Sequence, residues 1–161
     1  MYMKSKKAFT MIELIFVIVV IGILAAVAVP KLAMNRNDAI IAKAKATVSA
    51  VRSALATERQ KRILRGDFDK IYQLSSSSAV NSPIFDAFDG NTSNPVLEYG
   101  PFSCKTAGRD GCWEVTTLGT EGGTAVYAFN MPMTGTAVVF TLDNNRFDCT
   151  ASDANCRKLT Q

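Results

Sequence analysis

Residues 4–32 read KSKKAFTMIELIFVIVVIGILAAVAVPKL. Three lysines lead into an apolar run that closes at Pro30, and from Met11 to Val29 the only charged residue is Glu13. As a helix rising about 1.5 Å per residue, this run covers nearly all of a ~30 Å hydrocarbon layer. A charge inside such a segment costs roughly 2.5–3.5 kcal/mol at mid-bilayer, a cost that marks functional residues. Glu13 is therefore a candidate functional residue, and its own apolar face offers it no cation.

Within this stretch, Lys6-Lys7-Ala8-Phe9-Thr10-Met11-Ile12-Glu13-Leu14 followed by Pro30 resembles the start of type IV pilins and of type II secretion pseudopilins. That pattern is a short basic leader, a small residue, Phe-Thr-(Leu/Met)-Ile-Glu, an apolar helix and a proline. The match covers residues 6–32, with Ala8 where the family usually has Gly. The resemblance implies cleavage between Ala8 and Phe9 by an inner-membrane prepilin peptidase, then N-methylation of Phe9. It implies that Glu13 pairs with the free amine of an adjacent subunit during assembly, which a desolvated carboxylate favours. It also implies partners: other pilin or pseudopilin subunits, the inner membrane, and an assembly platform with its motor. In filaments of the family the segment ending at the proline can lose helical form, so Gly22 to Pro30 is a candidate extensible stretch.

The chain has 161 residues and a formal charge of +4, unevenly spread. Between Lys31 and Arg65 nine basic residues face two acids, a net of +7; from Gly66 onward six face eleven, a net of −5. The first stretch reads as a solvated basic helix face, or as a surface complementary to the acidic heads of neighbouring subunits. No aromatic residue is interleaved there to stack bases, so direct nucleic-acid binding is not expected. There is no histidine, which removes His-based acid–base chemistry, Ser-His-Asp and Cys-His nucleophiles and most zinc sites. No convergent set of acid, base and nucleophile remains, so no enzyme and no cofactor are expected. The four cysteines, Cys104, Cys112, Cys149 and Cys156, form no CxxC pair. An even count fits disulfides in an oxidising compartment, and of the three pairings the two local ones, 104–112 and 149–156, close short turn-rich loops.

In chain order, residues 1–8 read as a leader whose lysines hold the N-terminus in the cytoplasm and send the C-terminus outward. Residues 9–32 form a transmembrane assembly helix. Residues 33–65 form an amphipathic helix, with Ile41, Ala44, Val48, Val51 and Leu55 recurring at spacings of three and four. Gly66 stops it, so Phe9 to Leu64 is one helix of about 84 Å with weak points at Gly22 and Pro30. Residues 66–94 are a turn-rich connecting loop with a short helix near Pro83 to Phe88. Residues 95–161 are the sheet and C-terminal loop of the head, with strands at 96–99, 112–118, 124–130 and 134–142 and an irregular tail from Asp143 pinned by Cys149 and Cys156. The fold class is α+β: a long N-terminal helix packed on a small antiparallel sheet with a disulfide-bonded C-terminal loop.

Three further features carry possible chemistry. Asp143-Asn144-Asn145-Arg146-Phe147-Asp148 reads as a turn, and Asp143, Asn145 and Asp148 are the oxygens that a calcium ion would use there. Asp89-Gly90-Asn91-Thr92-Ser93 fits an extended bacterial N-glycosylation pattern at Asn91. Trp113 is expected to pack against the disulfide beside it, with surface adhesion through Trp113 or Phe102 as the alternative. The expected function is a structural subunit of a pilus or pseudopilus serving secretion, DNA uptake or adhesion, held in the bacterial inner membrane and extracted into a periplasmic or surface filament. The rival reading is an exported, disulfide-stapled binding domain released by ordinary signal cleavage after Ala28.

Overall fold

A computed structural model describes residues 9–150 and 152–161; Ala8 lies outside them. Helix α1 runs Met11–Leu64. It is followed by β1 (Trp113–Thr117), β2 (Ala125–Asn130), β3 (Ala137–Asp143), β4 (Arg146–Cys149) and α2 (Ala154–Thr160). The chain divides at Arg36 and Asn37 into two units, the first of which consists, among the described residues, of the N-terminal part of α1.

In the second unit the four strands form one antiparallel sheet in the order β1-β2-β3-β4. Its core is built by the two periodicities of the sequence. Ala44, Val48, Val51 and Leu55 are buried along one face of α1. β3 alternates exposed and buried residues, sending Val138, Phe140 and Leu142 inward. Trp113 and Phe147 join Phe140 and Phe129 in an aromatic cluster, with the Phe140 and Phe147 rings stacked at 4.9 Å. Trp113 thus packs within the ring cluster of the core, and the exposed ring nearby in sequence is Phe102.

Three local expectations are corrected. Residues 83–88 are not helical: Phe85 has φ of 60°, a left-handed value that interrupts any helix. The strained residue is held at both ends, its N–H donating to Ser75 Oγ and its carbonyl accepting from Leu97 N–H, while its ring enters the cluster beside Trp113 and Tyr127. Residues 96–99 are not a strand, because Pro95 and Pro101 remove donors on either side and Leu97 N–H is spent on Phe85. The tail is not irregular. Asn144 and Asn145 both adopt positive φ, forming the tight turn that pairs β4 with β3. Asp153 then caps α2 by accepting from Asn155 N–H, and Cys156 and Leu159 are buried.

Cys104 is bonded to Cys112, tying the loop before β1 to that strand's entrance, and Cys149 is bonded to Cys156, tying β4 to α2. Gly119 marks a close backbone approach, since a Cβ there would overlap the Tyr72 carbonyl oxygen.

Candidate functional site

The first turn of α1 is built by Thr10. Its Oγ1 accepts from Glu13 N–H at 3.3 Å and its carbonyl from Leu14 N–H, so Thr10 is the N-cap and Glu13 stands at the third helical position. Thr-x-x-Glu is the sequence of a capping box, and an acid in the first turn is favoured by the helix dipole. The helix therefore starts at Met11, two residues after Phe9, for a local chemical reason, with Glu13 in its first turn.

The apolar side chains of this segment are exposed: Phe9 is 82% exposed, Ile12 77% and Leu24 63%. About 19 residues of helix with such a surface are unsuited to water and match a bilayer or a bundle of like helices. Gly22 meets nothing within 4 Å of a Cβ position, so no packing inside the chain requires it. Pro30 lies inside the helix and lacks the N–H that would reach the Ala26 carbonyl, leaving that acceptor without its helical partner.

In the head, the other candidate residues have separate partners. Asn145 Oδ1 accepts from Ile71 N–H at 2.7 Å. Asp148 is paired with Arg52 at 2.7 Å and with Arg146 at 2.9 Å, and Asp143 Oδ2 accepts from the Asn144 amide. The three oxygens proposed for calcium are thus each turned to a donor of the fold. Asn91 is exposed, with its Oδ1 accepting from Ser93 N–H, while Asp89 two residues before it is drawn inward.

The sequence reading missed that inward turn. Glu58 is 5% exposed and continues the buried stripe of α1 one step beyond Leu55. It accepts from Arg62 Nε at 3.3 Å, and Arg62 Nη2 reaches Asp89 Oδ2 at 2.6 Å. Asp89 Oδ1 accepts from the N–H groups of Tyr72 and Gln73. Burial alone would lower the Arg62 pKa, but hydrogen bonding and charge from Asp89 and then Glu58 outweigh it and hold the guanidinium above its ordinary value. An acid on an otherwise apolar stripe, four residues before an arginine, was the legible signal. Tyr127 also carries structure: its hydroxyl accepts from Leu74 N–H at 2.8 Å, and burial pushes its pKa up to about 12.

Residues 3–29 match the model of the prokaryotic N-terminal methylation motif. The chain is 33% identical over 127 residues to a fimbrial protein of Pseudomonas aeruginosa, covering 77% of this chain and 75% of that one. It is 38% identical over 88 residues to the type IV narrow pilus major component PilA5 of Thermus thermophilus, covering 53% of this chain and 74% of the relative. No solved structure matches. The capped acid lies within the matched methylation motif, and with these fimbrial and pilus relatives the chain is a structural protein that belongs to the type IV pilin family.

Proposed function

We propose that this chain is a pilus subunit made as an inner-membrane precursor with its C-terminus in the periplasm and then drawn into a surface filament. Residues 1–8 are the leader, residues 9–32 the membrane and assembly segment, residues 33–65 the helix that carries the head, residues 66–94 the connecting loop and residues 95–161 the sheet and C-terminal loop. A prepilin peptidase cuts between Ala8 and Phe9, and Phe9 is methylated. The observation that carries this reading is the bare apolar helix with one acid in its first turn. No basic side chain occurs between Phe9 and Val29, so the cations within reach of Glu13 are processed N-terminal amines, and we assign the pairing to the Phe9 amine of a second copy, which has the right charge and depth.

The apolar helices then form the filament core and the heads face outward. The names of the relatives favour a pilus over a pseudopilus. Secretion, DNA uptake and adhesion are all work of the assembled polymer driven by a platform and motor, and no single head residue performs them. Glu13→Leu tests the pairing. The expected result is a variant that inserts into the membrane at the normal level but is missing from sheared filaments. Normal incorporation of Glu13→Leu would refute the pairing role.

A further inference from the structure

A pilin that polymerises into an open helical array needs two different, complementary surfaces on each subunit, because head-to-tail contacts are heterologous. The head carries such a pair. On one flank of α1, Arg52, Arg59 and Arg146 line an open cleft of about 520 Å³ whose apolar floor includes Leu55, Ala56 and Phe147. Asp148 is the one carboxylate lining it and is shared by Arg52 and Arg146, while Arg59 donates to the Phe68 and Asp69 carbonyls, so the cleft keeps an excess of positive charge. Arg146 stands outermost, with its side chain 78% exposed.

On the other flank, Glu98 and Tyr99 form a lip beside Lys43, Thr47 and Ala50. Tyr99 is 91% exposed, and Glu98 is exposed with no salt bridge among the described residues. The lip is held by Gly100, where a Cβ would overlap the Ile84 carbonyl oxygen. At ~100° per residue, the helix positions beside the lip (43, 47, 50) and beside the cleft (52, 56, 59) are roughly half a turn apart.

We infer that the Glu98–Tyr99 lip of one subunit seats in the arginine cleft of the next. Glu98 supplies the missing negative charge, and the Tyr99 ring lies against a guanidinium, a pairing that arginine and aromatic faces favour in well-packed contacts. A second copy fits better than a polyanion, because it uses the aromatic lip as well as the charge. The two surfaces differ in level by about ten helical residues, so contacting subunits are displaced along α1 by about 15 Å. This inference rests on the pilin reading and goes beyond it by naming the head-to-head contact.

The test uses filaments of the full chain carrying Tyr99→Cys together with Arg146→Cys, treated after assembly with a short thiol–thiol cross-linker. A ladder of multimers, absent from either single variant, is expected. Filaments of normal appearance without that ladder would overturn the contact while leaving the pilin reading intact, and so would a cross-link from position 146 to a different protein. If the unaltered chain makes no filaments, the pilin reading falls and the contact with it. Should the cysteine pair not assemble, charge exchange decides: Glu98→Arg and Arg146→Glu are each expected to reduce filament yield, and their combination to restore it. A combination no better than the single variants would overturn the contact.

Discussion

Arg62 Nη2 lies 2.6 Å from Asp89 Oδ2, joining the last turns of α1 to the far end of the connecting loop, and both side chains are largely buried. Asp89 also holds the backbone N–H groups of Tyr72 and Gln73, so one carboxylate fixes three donors from two segments. Removing Asp89 leaves Arg62 with Glu58 as its acid and strips the Tyr72 and Gln73 N–H groups of their acceptor, at a cost of about 1–3 kcal/mol for each buried group left unsatisfied. Asp89→Ala is expected to lower stability by that order, read as a shift of the urea midpoint of the full chain in detergent. An unfolding free energy within about 0.5 kcal/mol of the unaltered chain's would show the clamp to be incidental.

Tyr127 gives the fold a dependence on alkaline pH. The buried phenol keeps its proton to about pH 12, whereas an unfolded chain releases it near the ordinary tyrosine value of about 10. Between those values the folded state binds more protons than the unfolded state, so stability is complete below pH 10 and falls as pH rises toward 12. The loss amounts to about 2–3 kcal/mol. Tyr127→Phe should be less stable at neutral pH, because Leu74 N–H loses its acceptor, yet show a flatter profile from pH 10 to 12. Parallel profiles for the two proteins would contradict the assignment.

Much of this fold is legible in the residues. The stripe Ala44, Val48, Val51 and Leu55, the alternation along β3 and the stop at Gly66 follow from helix and strand periodicity, which local sequence carries directly, whereas β2 is buried along nearly its whole length. The region 66–112 is harder to read because its order comes from distant partners. Phe85 takes a left-handed backbone to place its ring against Trp113 and Phe147, and Leu97 pairs with Phe85 rather than with a strand. Sequence windows contain no sign of either. The β3–β4 turn was more accessible than the irregular tail expected of it: Asn144-Asn145 between alternating apolar residues is a two-residue hairpin signal. At the assembly segment, Glu13 and Phe9 stand out by chemistry alone, and Thr10 could have been named as the cap from the Thr-x-x-Glu spacing.

Pro30 bears on how a filament stretches. The unpacked Gly22 and Pro30 bound the segment we propose to be extensible, and the open Ala26 carbonyl lies within it. Pro30→Ala restores the missing donor and removes a residue about 3 kcal/mol less favourable than alanine in a helix interior. Filaments of this variant are expected to lengthen less under a given pulling force in single-filament stretching. Equal extension would move the compliant stretch elsewhere.

Whether Phe9 becomes the processed N-terminus of an assembling subunit is read by intact and N-terminal peptide mass spectrometry of protein from its native membrane. The expected chain begins at methylated Phe9 and is lighter by the hydrogens of two disulfides, Cys104–Cys112 and Cys149–Cys156. A chain beginning at Val29 would contradict it, because the apolar helix and Glu13 would then be absent from the mature protein.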